Sequence, residues 1–470
     1  VTDTARLPLD PTSHAALAAD GLHLGLVDPT DSDAARRWIS ADQRGFLDSA
    51  PEAAALEAHV AELGTDRITG VWDRSGADPD TPIATVQSWE MGLTVPGGAS
   101  VAAWAISSVT VSPTHRRRGI ARALLTAELR AAAALGLPLA MLTVSEATIY
   151  GRYGFGPAAR QAGYTIRTAR AGWIGPIPAG RVQFVTRESL LRDGPALFER
   201  ARLAAPGEVD RSDIRWRHLL GLSPAAEGGN ESARGIRAVR YDDADGDPAG
   251  FALYRVTLPN DSYPARLELL DLIAATDDAA AALWRFLIEM DLVSEVRAPL
   301  RRVSETVGWQ ISDPRALVKT DERDHLWLRL LDIPAAFAAR TFSAPGDIVF
   351  SVTDTLGLVT GDYLLSVDSS GRGATLRLAD AALDDDALDD AVRDGAAHVE
   401  LSAADLANAV RDGAAHVELS AADLASVYLG DTSAEQLRRA GRVTAHSADA
   451  AIRVDQAFRS VDTPWLSTWF

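Results

Sequence analysis

The sequence predicts an α/β chain of three domains, the last of α+β type, and three observations carry that prediction. Helix-like and strand-like stretches alternate through residues 1–160, a similar rhythm repeats over 161–331, and 332–470 turns to short strands separated by turn sequences. With 470 residues and 47% hydrophobic content, the chain is long enough for two or three domains with cores of their own.

In the first region Asp31–Ser49 and Pro51–Leu63 read as helices, the second with Pro51 in its opening turn. Pro82–Val95 and Ala102–Val111 read as strands joined by a Pro96-Gly97-Gly98 turn. From Arg118 to Leu135 apolar residues recur at helical spacing (Ile120, Leu124, Ala127, Ala131, Leu135), and Gly136 stops the helix with Pro138 beyond it. Leu139–Val144 follows as a short buried strand. Strand, helix, strand in that order implies a parallel pair with a right-handed crossover.

In the second region Pro248–Thr257 and Arg266–Ala274 read as strands, Asp277–Met290 as an alanine-rich helix and Leu292–Ala298 as a strand. In the third, Ile348–Thr353, Tyr363–Val367 and Ala374–Leu378 read as strands of an antiparallel sheet with helices added. The run AVRDGAAHVELSAADLA occurs at 391–407 and again at 409–425. Two copies do not make a solenoid, so a local duplication is the reading. Only the second copy continues into Ser426-Val427-Tyr428-Leu429-Gly430. It is expected to hold the strand–helix place, and the first to be an inserted loop or helix.

Composition narrows the function. The absence of cysteine excludes disulfides, thiol nucleophiles and cysteine-bound metals. Residues 1–20 lack the basic start and apolar core of a signal peptide, and no window approaches the ~18 apolar residues of a membrane span, so a cytoplasmic, soluble protein is expected. Acidic residues outnumber basic ones by 65 to 46, a net charge of −19. That field repels nucleic acid and anionic lipid and attracts cationic solutes, although solubility alone is a sufficient reason for it. The nine histidines (His14, His23, His59, His115, His218, His325, His398, His416, His446) show no metal-ligand spacing, and no metal is expected.

The chemistry lies in 106–157. A strand ending in Val109-Thr110-Val111 runs through Pro113 into a basic turn with a glycine, which opens directly into a helix. Amide groups at a helix start are unpaired and sit at the positive end of the helix dipole, so phosphate oxygens suit them. Gly119 lets backbone approach a phosphate, the small Ala121 continues that access, and Arg116, Arg117 and Arg118 supply charge. A triple arginine alone is more often a solvated patch; its place between a strand and a long helix argues for the functional reading. In Ser145–Phe155, Ser145 is a good N-cap, Tyr150 lies near the helix end, and Gly154-Phe155 closes it. An arbitrary tyrosine so placed is more often an aromatic plug.

Together these elements resemble the GCN5-related N-acetyltransferase (GNAT) fold. Arg116-x-x-Gly119-x-Ala121 matches its pyrophosphate motif, and a tyrosine four residues before Gly-Phe matches its following helix. The resemblance implies acetyl-CoA as co-substrate, with pantetheine along Val109, Thr110 and Val111. The pyrophosphate would lie on Arg117, Arg118, Gly119, Ile120, Ala121 and Arg122. Ser145 and Glu146 would sit beside the cofactor and Tyr150 next to its sulfur.

A narrower resemblance is to the Eis (enhanced intracellular survival) acetyltransferases. It rests on TVSPTHRRRG, the SE-x-x-IYGRYGFGP block, GFALYR at Gly250–Arg255, LWLRLLDIPAAFAAR at Leu326–Arg340 and the terminal phenylalanine. It implies two tandem GNAT domains, catalytic in 1–160 and degenerate in 161–331, followed by a sterol-carrier-protein-like α+β domain in 332–470. It also implies a homo-hexamer, a catalytic carboxylate at Phe470, and an acceptor wall at Trp38, Phe46 and Asp48. Members strongly active on aminoglycosides tend to carry an acidic residue where this chain has Trp469, which puts the drug spectrum in question.

Two expectations about chemistry follow. The corresponding turn of the second domain, Ala274–Asp278, has neither glycine nor arginine but two carboxylates that repel a diphosphate, so no coenzyme is expected there. Acetyl transfer needs a proton donor to the departing thiolate and an acceptor for the amine proton. A phenol with pKa about 10 can donate, which suits Tyr150. A chain-end carboxylate titrates at about 3.5, so as a base it needs the apolar surroundings that Trp465, Leu466 and Trp469 offer. The acceptor expected is a polyamine-like small molecule, aminoglycosides included. A protein-lysine acetyltransferase and a lipid-binding scaffold with a vestigial transferase site are the alternatives.

Overall fold

The structure is a computed structural model, and it describes residues 7–64, 66–223, 233–259, 262–378, 400–401, 408–409 and 413–470. It divides into two units: 1–159 with 326–461 and 470, and 160–325 with 462–469.

In the first unit α1 (Pro11–Ala19) and β1 (His23–Leu26) lead into α2 (Ser32–Phe46), whose N-cap Asp31 accepts from the amides of Asp33 and Ala34. α3 (Ala53–Glu62) starts after Glu52, so Pro51 precedes the cap instead of lying in the first turn; before the cap its missing N–H costs nothing. β2 (Arg67–Trp72), β3 (Ala84–Thr94) and β4 (Ser100–Val111) continue an antiparallel run from β1. α4 (Ile120–Ala134) then carries the chain over to β5 (Leu139–Thr143), which lies parallel to β4 as expected. α5 (Ala147–Tyr150) follows. Leu17, Trp104, Leu124, Leu129, Leu142 and Phe155 belong to the core under this sheet.

β6 (Gly156–Arg167) leads into the second unit, where β7 (Arg181–Val185), α6 (Arg187–Leu203), α7 (Asp213–Leu219), β8 (Arg237–Asp242), β9 (Pro248–Thr257) and β10 (Ala265–Ala274) follow. α8 (Asp277–Ile288) crosses to β11 (Val293–Arg301), again parallel to its predecessor. Leu283, Trp284 and Leu287 on α8 pack into a core with Tyr254 and Leu267. The two halves thus repeat one topology, a meander closed by a strand–helix–strand crossover. β12 (Leu317–Leu330) returns the chain, and its end, Leu326–Leu330, pairs antiparallel with β5 in the first unit.

Beyond α9 (Ile333–Ala338), the strands β13 (Gly346–Thr353), β14 (Gly361–Val367) and β15 (Gly373–Leu378) form an antiparallel meander. The sheet as a whole is mixed, not antiparallel as expected: β16 (Glu400–Leu401) lies parallel to β15, and β17 (Ala415–Ser420) parallel to β13. A strand that enters after a long excursion is freed from the hairpin constraint that makes neighbours antiparallel. α10 (Ala421–Tyr428), α11 (Ala434–Arg439), β18 (Thr444–Ala445) and α12 (Ala450–Phe458) complete it. The second copy of the duplicated run builds β17 and α10, the strand–helix place expected of it. The first copy lies outside the described residues except for Glu400-Leu401. Among the described residues no helix is long and apolar enough to cross a membrane.

Candidate active site

β4 departs from regularity where the site begins. Thr85 faces Thr110 and Gln87 faces Ser107, so Ser108 and Val109 together oppose Val86, and Ser108 adopts φ 52°. Such a bulge bends its strand away from a neighbour. β4 pairs with β5 only through Ala103–Ala105, whereas β5 stays paired with Leu326–Leu330 along its length. Among the described pairings, Ile106 to Val111 therefore have no partner on the β5 side. The backbone polar groups in this stretch that are not turned to β3 face a wedge on the β5 side, open to a ligand with amide chemistry.

The turn after β4 is shaped by two left-handed residues, Arg117 at φ 65° and Gly119 at φ 75°. Gly119 occupies the N-cap position of α4, where no side chain caps the helix. The first intrahelical bond runs from Ala123 N to Gly119 O, 3.0 Å, so the amides of Ile120, Ala121 and Arg122 stay free of helix partners. Ile120 is buried and has only its amide to offer. The side chains of Arg116, Arg117 and Arg122 are exposed and make no ion pair or hydrogen bond among the described residues, while Arg118 donates to Asp20 O at 3.2 Å. Uncapped amides in a left-handed concavity with unpartnered guanidinium groups suit a diphosphate.

The corresponding turn of the second unit differs at each point. Thr276 caps α8 by accepting from Ala279 N at 3.1 Å, and Asp277 and Asp278 fill the first turn. One donor is satisfied internally and the added charge has the wrong sign for a phosphate.

α5 starts at Ala147 with Glu146 as its N-cap residue and no side-chain cap, so Ser145 lies one residue outside the place expected for it. Four residues make barely one turn, too few to require a cap. Ser145 and Glu146 are exposed. Tyr150 is buried with its ring edge-on to Phe155, centroids 6.1 Å apart, and its hydroxyl has no hydrogen-bond partner among the described residues. Burial, then the carboxylate of Glu146, push its pKa up to about 12, so the phenol keeps its proton at neutral pH.

Phe470 sits at the end of β5, where Thr143 Oγ1 donates to Phe470 O at 2.6 Å and its ring meets Trp89 edge-on at 6.1 Å. In the second unit the preceding residues are anchored, not loose. Trp465 N donates to Pro206 O, Arg211 Nη2 to Ser467 Oγ, and the Arg301 guanidinium lies over the Trp465 ring at 4.9 Å. Trp469 packs on His325, centroids 4.3 Å apart, under the Arg323 guanidinium.

The expected acceptor wall is only partly at the surface. Trp38 is a core residue, 2% exposed, whose Nε1 donates to Thr69 O at 2.9 Å; the apolar stripe of α2 with Ala35 and Ile39 turns it inward, and it cannot line a wall. Phe46 and Asp48, past that stripe, are exposed.

One residue escaped sequence reasoning. Asp42, one turn before Phe46 on α2, accepts from Thr85 Oγ1 at 3.2 Å and Ser108 Oγ at 3.4 Å, so it sits on the β4 bulge. Burial raises its pKa to about 7, with a smaller push from Asp48. A further link between α2 and β4 is Gly45, where an added Cβ would come 2.4 Å from the Thr110 side chain. The available signal was the four-residue spacing from Phe46, which puts Asp42 on the same helix face.

Residues 27–158 and 207–330 each match a family model for an acetyltransferase (GNAT) domain, and 333–467 match one for a sterol carrier protein domain. An uncharacterized N-acetyltransferase of Streptomyces griseus is 33% identical over 452 residues, which covers 94% of this chain and 98% of the relative. The N-acetyltransferase Eis of Mycobacterium tuberculosis is 30% identical over 399 residues, 83% of this chain and 86% of its own length. The crystal structure of Eis1 from Mycobacterium abscessus matches with a TM-score of 0.73 at 28% identity, covering 95% of this chain and all of that one.

Proposed function

Because this chain belongs to the Eis family of acetyl-CoA-dependent GNAT acetyltransferases, we propose that it N-acetylates polycationic small-molecule amines, aminoglycosides among them, in its first domain, residues 1–160. The observation that carries this reading is the uncapped, arginine-flanked start of α4 beside the β4–β5 wedge. The diphosphate of acetyl-CoA is assigned to the amides of Gly119, Ile120, Ala121 and Arg122 with the guanidinium groups of Arg117 and Arg118. The pantetheine amides go to Val109, Thr110 and Val111, with Ser145 and Glu146 alongside. Bound there, acetyl-CoA supplies the activated acetyl group.

The chain's own groups then divide the work. Tyr150 keeps its proton and donates it toward the departing sulfur. A carboxylate at Phe470, held by Thr143, attracts the cationic acceptor and accepts the amine proton, directly or through water. Phe46, Asp48 and Trp469 are assigned to the acceptor side, and the net charge of −19 draws a polycation toward it. The domain over 161–331 binds no coenzyme, and the domain over 332–470 brings Phe470 to the site. Cytoplasmic homo-hexamers are the assembly this reading adopts from the family.

Thiol release from acetyl-CoA with an aminoglycoside panel tests the proposal. Tyr150→Phe and deletion of Phe470 are each expected to abolish most of the turnover while leaving coenzyme affinity nearly unchanged. Wild-type rates in the truncated protein would refute the carboxylate assignment. Acetylation of peptide lysines without activity on aminoglycosides would replace the small-molecule reading.

A further inference from the structure

We infer that the sheet edge formed by β17 and β18 carries a binding site for one divalent transition-metal ion of zinc type, built from His416, Glu418 and His446. Along the sequence these residues show no metal spacing, and the fold corrects that impression. His416 and Glu418 are two apart on β17 and share one face. β18 pairs antiparallel with β17, with Glu418 facing Thr444 and Val417 facing Ala445, and His446 N donates to His416 O at 3.0 Å. That register sets His446 across from His416.

One candidate ligand atom from each of the three residues lies within 4.8 Å of the other two. His446 Nε2 and a Glu418 carboxylate oxygen are 2.6 Å apart, and the imidazole rings of His416 and His446 lie stacked, centroids 4.1 Å apart at 12°. From β13, on the other side of β17, Ser351 Oγ bonds Nε2 of His416 at 2.9 Å. A hydroxyl on one ring nitrogen is a common way to orient an imidazole that ligates through the other.

Two imidazoles and one carboxylate form the three-ligand set of open zinc sites, with water as the fourth donor. Imidazole nitrogen favours zinc, cobalt, nickel or copper over magnesium or calcium, which want oxygen. An exposed histidine–glutamate pair gains little by itself. It also leaves unexplained why a second imidazole is held parallel to the first. Adjacent strands place all three residues, so little ordering is needed, and only the exposed ring of His446 has to turn toward the ion. The bound ion would staple the two-residue edge strand β18 to the sheet.

The test uses the full-length protein, stripped with a chelator and dialysed. Calorimetric titration with Zn²⁺ should show one ion per chain, and Co²⁺ should develop visible d–d bands. His446→Ala and Glu418→Gln, both at exposed positions, should each weaken binding by about tenfold or more, and Ser351→Ala by less. Excess Mg²⁺ should not compete, and thiol release in the acetyltransferase assay should stay unchanged. Circular dichroism verifies that each variant is folded. Failure of the wild-type protein to bind Zn²⁺ or Co²⁺, or equal binding by His446→Ala and Glu418→Gln, would overturn the assignment.

Discussion

Asp42 is a buried carboxylate whose ionisation should leave a mark on solution behaviour. Its pKa rises from 3.8 to about 7 on folding, because burial penalises the charged form more than Thr85 and Ser108 stabilise it. In that window the native state binds the proton that the unfolded chain has released. Stability from this group is therefore full below about pH 4 and declines as pH rises toward 7. Asp42→Asn should flatten this part of the profile and unfold at higher temperature than wild type above pH 7; an unchanged difference between pH 5 and pH 8 melting curves would contradict the assignment. Tyr150 shifts the same way for the same reason but starts near 10, so its protonation is constant across the working range. Loss of activity in Tyr150→Phe should therefore be similar at pH 6 and pH 8.

At the scale of elements, the contrast between α4 and α8 explains why one of two similar crossovers binds a coenzyme in the proposed mechanism. Both helices follow a strand in the same topology, yet α4 begins on a left-handed glycine with its donors uncapped and α8 on a capping threonine followed by two aspartates. Gly119→Ala meets no atom within 4 Å, so its cost is conformational, about 1–2 kcal/mol for a left-handed Cβ. The predicted result is weaker coenzyme binding with little loss of global stability, measured by calorimetry beside a melting curve. Gly45→Ala acts sterically instead. The new Cβ would collide with Thr110 and push α2 off the bulge, so the acceptor KM is expected to rise along with coenzyme affinity loss.

At the scale of the molecule, the first unit holds buried charge as well as apolar surface. Arg329 near the end of β12 donates to Asp354 at 2.5 Å with both side chains fully buried, and Asp354 also accepts from the amides of Leu358 and Val359. Removing one partner leaves the other charged and dry, which costs about 3–5 kcal/mol. Asp354→Ala should lower the denaturant midpoint accordingly, and a loss under about 1 kcal/mol would show the pair to be well solvated. Arg67 and Glu128 form a second fully buried pair at 3.1 Å, with Ser88 donating to Glu128 at 2.6 Å.

The shape of the turn before α4, to which the proposal assigns the coenzyme, was legible in the sequence, since Gly119, the arginines and the strand–helix alternation act through backbone geometry and charge within a few residues. The parallel crossovers and the use of the second duplicated copy could be read for the same reason. Side-chain direction and long-range register could not. Trp38 reads like any aromatic in mid-helix until the apolar stripe turns it into the core, and Ser145 reads as a cap until the helix starts one residue later. Asp42 becomes notable only once Thr85 and Ser108 close over it, and His446 meets His416 only because β18 pairs with β17 in one register. Periodicity and turn chemistry are encoded between neighbours. Burial, pKa and the meeting of distant groups depend on which surfaces pack, and tertiary structure alone decides that.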